Sequence, residues 1–235
     1  MTQNSRNYID KRSNESGYRF ERKFFISHCS GHEVENMIKQ HPSIFFEIFH
    51  QRFVNNIYFD SFNLNNYRDN MAGSSKRLKV RIRWYGELFG HIEKPVLEIK
   101  LKQGLLGKKI PFPLRALKLD KTTNFLGLVN CIDDSNGYMK TVMKSLNPTL
   151  LNRYSRKYYQ SGDGHYRITV DTDQVFYRIN NYDNLFLNKM TDDINVILEL
   201  KYNQEHDTAA DRVTNHFPFR VTRSSKYVNG LQNVY

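Results

Sequence analysis

Charged side chains recur at every second position in several short stretches of this sequence. In Leu78–Trp84, Lys79, Arg81 and Arg83 alternate with Leu78, Val80, Ile82 and Trp84. In Val96–Lys102, Glu98, Lys100 and Lys102 oppose Leu97, Ile99 and Leu101. Near the start, Arg19, Glu21 and Lys23 are set against Phe20, Phe24 and Ile26, with Arg22 out of pattern. Further on, Arg167, Thr169 and Asp171 oppose Tyr166, Ile168 and Val170, and Glu199 and Lys201 oppose Val196, Leu198 and Leu200. A period of two is that of a β-strand with one apolar face. A solvated face would alternate in the same way, but it would mix signs and include Ser, Thr and Gln. Arg81 and Arg83 are instead same-face neighbours, and such like charges destabilise a sheet unless something anionic lies between them.

Strands that all point Arg or Lys the same way make a basic lumen once the sheet curls on itself. The ligand such a lumen suits is a chain of phosphates, which Arg grips bidentately and Lys meets as a point charge. Glu21, Glu98 and Glu199 intrude as ligands for a hard divalent cation would, Mg2+ or Mn2+. Neither Gly-x-x-x-x-Gly-Lys-Ser/Thr nor Gly-x-Gly-x-x-Gly occurs, so phosphate would be held by side chains and not by a glycine-rich loop. The His residues are scattered, and Cys29 and Cys131 have no metal-site spacing. No Ser-His-Asp or Cys-His set emerges.

Positioning these residues falls to short strands. Candidates are Tyr18–Ser27, Asn55–Asp60, Lys76–Tyr85, Val96–Lys102, Lys108–Leu114, Leu150–Gln160, Tyr166–Tyr177 and Val196–Tyr202, with a last extended piece at Phe219–Lys226. Helical periodicity is confined to Gly31–Gln40 behind a Ser30 cap, Thr122–Cys131, Gly137–Ser145 and Glu205–Phe217. This is an α+β pattern, and it predicts a closed antiparallel β-barrel of about eight strands forming a basic tunnel, flanked by a few helices. Residues 1–17 read as a flexible polar N-terminus and residues 18–235 as one domain.

Composition agrees with an anionic partner. The 235 residues carry 35 Lys+Arg against 24 Asp+Glu, a formal charge of +11. Nucleic acid is not the expected partner, because the basic residues alternate on strands and do not cluster in an Arg-rich arm. No apolar run approaches the roughly 20 residues of a membrane helix, and the polar start has no signal-peptide core. A soluble cytoplasmic protein is expected.

The run Arg19-Phe-Glu-Arg-Lys23 resembles the first-strand signature of the triphosphate tunnel metalloenzymes. More closely, the ordered set Glu21-Arg-Lys23, Arg81-Ile-Arg83-Trp-Tyr-Gly86, Leu97-Glu-Ile-Lys100, Asn152-Arg153-Tyr154, Arg167-Ile-Thr-Val-Asp-Thr172, Leu198-Glu-Leu-Lys201 and Ser224-Ser-Lys-Tyr227 is similar to the catalytic domain of the vacuolar transporter chaperone (VTC) polyphosphate polymerases. The resemblance implies an ATP-polyphosphate phosphotransferase dependent on Mn2+ or Mg2+. By that resemblance Arg81, Arg83, Lys100, Arg153, Arg167, Lys201 and Lys226 contact the phosphate chain, joined by Lys23 and by Lys108 or Lys109. Arg81, Arg83, Arg153 and Arg167 would neutralise the transferred group. Arg223 and Ser225 match the motif around Lys226. Glu199 matches the metal-binding carboxylate, with Glu21 and Glu98 as second candidates, and Glu98 serves equally well to hold neighbouring cations. Asp171 and Asp173 read as structural. The implied partners are ATP and polyphosphate or another triphosphate, with no membrane segment in the chain itself and room for a membrane-bound partner protein. Rival functions are a tripolyphosphatase or nucleoside triphosphatase of the same fold, and a non-catalytic polyphosphate-binding module.

Overall fold

The computed structural model describes residues 19–235 apart from 104–105, 133–136, 180–183, 185 and 187–188. The expected flexible stretch 1–17 lies outside the described residues. In chain order the elements are β1 (Arg19–Ile26), α1 (Gly31–Lys39), β2 (Phe46–Asp60), α2 (Asn65–Met71), β3 (Lys76–Tyr85), β4 (Gly90–Ile92), β5 (Val96–Gln103), β6 (Leu106–Pro113), β7 (Leu117–Leu119), α3 (Gly137–Lys144), β8 (Asn147–Gln160), β9 (Arg167–Arg178), β10 (Lys189–Asp192), β11 (Val196–Asn203), α4 (Asp207–Thr214) and α5 (Lys226–Val234). Among the described residues, no helix is long and apolar enough to cross a membrane.

Alternation builds one antiparallel sheet in the order β1-β11-β9-β8-β2-β3-β5-β6, with β10 added to β9; β4 and β7 pair separately. The expected closed barrel is not formed. β1 and β6 are the two ends of the sheet, and no backbone ladder joins them among the described residues. Two features account for the open seam. Pro111 and Pro113 on β6 supply no N–H for a further ladder. The free edge of β1 is taken by Thr222, whose N–H donates to the Lys23 carbonyl at 2.7 Å and whose hydroxyl accepts from the Phe25 N–H at 2.9 Å. The sheet still curls far enough for Lys100 on β5 to reach Glu21 on β1, Nζ to Oε2, at 3.0 Å.

The apolar sides of the strands face outward, under the helices. Phe24, Ile168 and Leu198 pack with Val34 and Ile38 of α1 and Val213 of α4. Ile57, Val80, Ile82, Trp84, Leu97 and Leu151 pack with Met139 and Met143 of α3. Burying both groups of strands on their outer faces leaves the charged sides facing one another within the curl. Arg22 breaks the alternation because it lies among the outward residues. Its guanidinium donates to Tyr202 Oη at 2.6 Å, to Asp211 at 2.5 Å and to Asp207 at 3.3 Å, tying β1 and β11 to α4.

Other elements depart from the sequence reading. β2 starts at Phe46 and not at Asn55, because irregularities at Glu47/Phe49 and Phe49/Arg52 interrupt its period of two. Thr122–Cys131 is a short 3-10 turn confined to Leu126–Cys131. The piece Phe219–Lys226 is irregular, and Lys226 instead opens α5 behind a Ser225 cap that accepts from the Val228 N–H. That helix covers one end of the inner face, where Tyr227 and Leu231 pack on Tyr58, Leu150 and Phe176. Gly230 permits the approach, since a Cβ there would lie 2.5 Å from both Leu150 and Phe176. Gly230→Val should therefore lower unfolding free energy by about 1–3 kcal/mol, read by urea denaturation; an unchanged midpoint would show that α5 is not seated this tightly.

Candidate functional site

Strand register decides which charged side chains share the inner face. On β3, Arg83 stands opposite Asn56, Arg81 opposite both Tyr58 and Glu98, and Lys79 opposite Lys100. Lys100 in turn faces Lys109. On the other wall Lys23 is opposite Glu199, Glu21 opposite Lys201, and Lys201 opposite Arg167. Arg156 on β8 is opposite Asp171 on β9 and Arg52 on β2. From the far end, α5 contributes Lys226.

Four acidic side chains hold most of these cations in place. Glu98, buried, accepts from Arg81 at 2.7 and 2.9 Å and from Lys109 at 3.0 Å, with Arg83 at 3.6 Å. Glu21 takes Lys23 at 2.9 Å and Lys100 at 3.0 Å. Glu199 takes the same Lys23 ammonium at 2.9 Å, Lys201 at 2.7 Å and Arg156 at 3.6 Å. Asp171, fully buried, accepts two bonds from Arg156 at 2.5 and 2.6 Å and one from Lys226 at 2.5 Å. Tyr154 sits among them, its ring 5.1 Å from the Arg156 guanidinium and 4.6 Å from the Lys226 ammonium.

The pKa shifts follow from this crowding. Burial alone would raise Glu21 and Glu98, but Lys23 beside the first and Arg81 and Arg83 beside the second outweigh it and hold both below the usual carboxylate range. The same balance lowers Asp171, where burial is outweighed by Arg156 and Lys226. Lys79 goes the other way. Burial, then the positive charges of Lys23, Lys100 and Arg81, push it well below an ordinary lysine. Its ammonium donates to the neutral Ser225 hydroxyl at 2.8 Å. Lys100 is lowered too, chiefly by burial.

Most residues singled out from the sequence come together here: Lys23, Arg81, Arg83, Lys100, Lys109, Lys201, Lys226, Glu21, Glu98 and Glu199. Ser225 joins them through Lys79. Arg167 lies exposed at the end of β9, opposite Lys201. Three expected positions lie apart from this cluster. Arg153 is on the outward face of β8, its guanidinium 3.8 Å over the Phe53 ring and 3.8 Å from Glu87. Arg156, three residues on and of opposite parity, occupies the inner face in its stead. Lys108 is likewise outward, exposed opposite Leu101, while Lys109 points in to Glu98. Arg223 is exposed beside Gly73, outside the ion-pair cluster. Asp171 proves to be the most deeply buried of the inner carboxylates. Arg156 was recoverable from the alternation Tyr154-x-Arg156-x-Tyr158, which runs in step with the buried pattern of β8.

Because Asp171 neutralises two buried cations, Asp171→Asn should cost about 3–5 kcal/mol, measured by urea denaturation. Its folded pKa lies below its unfolded value. Its contribution is therefore complete above about pH 4 and lost as pH falls through the folded value, so the variant should show a shallower acid loss of stability than the parent.

A search of curated proteins finds no match to this sequence. Among solved structures, a Hippeastrum protein described as an adenylyl cyclase with a dominant triphosphatase activity aligns at TM-score 0.50 and 12% identity, covering 89% of this chain and 92% of that one. A Bacillus halodurans protein described as an adenylate cyclase aligns at TM-score 0.49 and 16% identity, covering 91% and 98%. The first of these shares the curled antiparallel fold. The family model of the VTC domain matches residues 18–235, and with nearly the whole chain so covered, this protein belongs to the VTC-domain family.

Proposed function

We propose that this domain transfers the γ-phosphate of ATP to the end of a growing polyphosphate chain held along the inner face of the sheet. The observation that carries this reading is the ion-pair network itself. Arginines and lysines from β1, β3, β5, β8, β11 and α5 converge on one channel, where all but Lys79 of those named are held by a carboxylate that a phosphate oxygen can replace. Membership of the VTC family supports it, and the triphosphatase activity named for the Hippeastrum protein is in keeping with a triphosphate substrate.

The chemistry asks little of the side chains beyond position and charge. The attacking terminal phosphate oxygen needs no general base. A loose phosphoryl transition state spreads charge over its peripheral oxygens, and guanidinium groups fixed beforehand stabilise that charge without reorganising. Arg81 and Arg83, held by Glu98 and Asn56, and Arg156, held by Asp171, are the groups so fixed. Lys23, Lys100, Lys201 and Lys226 would bind the chain and let it slide. Arg167 is assigned to the open end, where the chain would pass.

A divalent cation fits the donor set. Among the described residues no three His, Cys, Asp or Glu side chains come together, but Glu21 and Glu199 converge on one ammonium, that of Lys23. Two carboxylates completed by substrate phosphates is how Mg2+ is commonly held. Glu199 and Glu21 are thus the ligands assigned, while Glu98, enclosed by Arg81, Arg83 and Lys109, orients those cations. When bound, the metal would neutralise phosphate charge.

Purified protein incubated with ATP and Mn2+ should give a ladder of polyphosphate on a gel, with release of ADP. Arg83→Ala and Lys201→Ala should each reduce it by about 100-fold or more in folded protein, and Glu199→Gln should lose the metal-dependent activity. Orthophosphate without polymer would replace the polymerase with a hydrolase; binding without turnover would leave a binding module.

Lys79 gives a second test. A phosphate beside it reverses the penalty that lowers its pKa, so binding must draw a proton onto it. Calorimetry of inorganic tripolyphosphate in two buffers of different ionisation enthalpy should read proton uptake that is reduced in Lys79→Met, and this contribution makes affinity fall as pH rises. Equal uptake in both proteins would place the phosphates elsewhere.

A further inference from the structure

The geometry points to a seat for the nucleobase at the rim of the channel, built from Tyr85, Phe49, Tyr158 and Arg52. It rests on the reading of the donor as a nucleoside triphosphate, which accounts for the phosphates and leaves the flat end of the molecule without a place.

Register sets these side chains on the inner face, one step outward from the residues assigned to the transferred phosphate. Arg52 is opposite Arg156, Phe49 opposite Tyr158, and Tyr85 opposite Val54, two residues beyond Arg83 on the same strand. Two residues of strand advance about 7 Å, and the length of the Arg83 side chain adds to that span, which the sugar and the two inner phosphates must cover between the transferred group and a ring at Tyr85. The irregularity between Phe49 and Arg52 that breaks the alternation of β2 is what brings both onto this face.

The cluster is organised without a ligand. The Arg52 guanidinium carbon stands 4.4 Å from the Tyr85 ring centre, 4.6 Å from Tyr158 and 5.5 Å from Phe49. Its Nε donates to Tyr158 Oη at 3.1 Å, and Phe49 meets Tyr158 edge-on at 5.8 Å. Arg52 forms no ion pair among the described residues, unlike Arg81, Arg83 and Arg156. Tyr85 and Phe49 remain 48% and 42% exposed, so core packing does not explain them. A phosphate chain has no use for ring faces. A flat heteroaromatic ring does, and it stacks on tyrosine, phenylalanine and guanidinium planes alike. Such stacking recognises a ring and not a particular base, so GTP should bind much as ATP does.

The test is a pair of titrations of the full chain, one with ATP and one with inorganic tripolyphosphate. Phe49→Ala combined with Tyr85→Ala should weaken ATP about tenfold or more and leave tripolyphosphate within about twofold of the parent; Tyr85→Trp should retain ATP affinity. Retained tripolyphosphate binding also shows that the variant is folded. Equal losses for both ligands, or no loss for ATP, would overturn the seat. A protein that makes no polymer yet shows the selective loss of ATP would overturn the reaction proposed above and support the seat.

Discussion

Like charges face one another across this sheet, and everything else in the channel answers to that. Lys79 is opposite Lys100, Lys100 opposite Lys109, and Arg52 opposite Arg156. Like-charge cross-strand pairs oppose sheet formation, so the arrangement stands only because Glu21, Glu98, Asp171 and Glu199 are interleaved, each touching two or more cations. The carboxylates are therefore internal counter-ions as much as ligands. A polyanion entering the channel would exchange with them instead of filling a vacuum of charge, which would moderate affinity at each contact, as the proposed sliding of a phosphate chain requires.

The outer face explains why the inner one is tolerated. Two apolar clusters, one under α1 and α4 and the other under α3, bury the alternate side of nearly every strand. Burial there fixes the register, and a slip of one residue would turn every cation outward. The C-terminal helix adds to this. It packs Tyr227 and Leu231 into the inner face while delivering Lys226 to Asp171 and the Ser225 hydroxyl to Lys79.

Strict alternation made β3, β5 and β11 legible, together with their inward charges, because one face of each is apolar along nearly its whole length. What escaped the sequence was whatever depends on a partner. Arg22 looks like a misplaced inner cation until α4 supplies Asp207 and Asp211. Arg153 and Arg156 differ only in parity, which the flanking aromatics of β8 settle in space and a short motif does not. The first part of β2 hides behind two irregularities. Barrel closure was expected from strand number, yet closure depends on what the two terminal strands can donate, and β6 has prolines where a ladder would form.

Those prolines have a consequence for the molecule among its neighbours. An unclosed sheet presents two strand edges, and bare edges recruit strands from other chains. Here one edge is occupied by Thr222 and the other interrupts its donors at Pro111 and Pro113 and flanks them with Lys108 and Lys109. The protein can leave its wall unsealed without becoming adhesive. Among the described residues the seam is spanned by charge through Lys100 and Glu21 and by no ladder of backbone bonds, so the wall has less to unzip there than between paired strands.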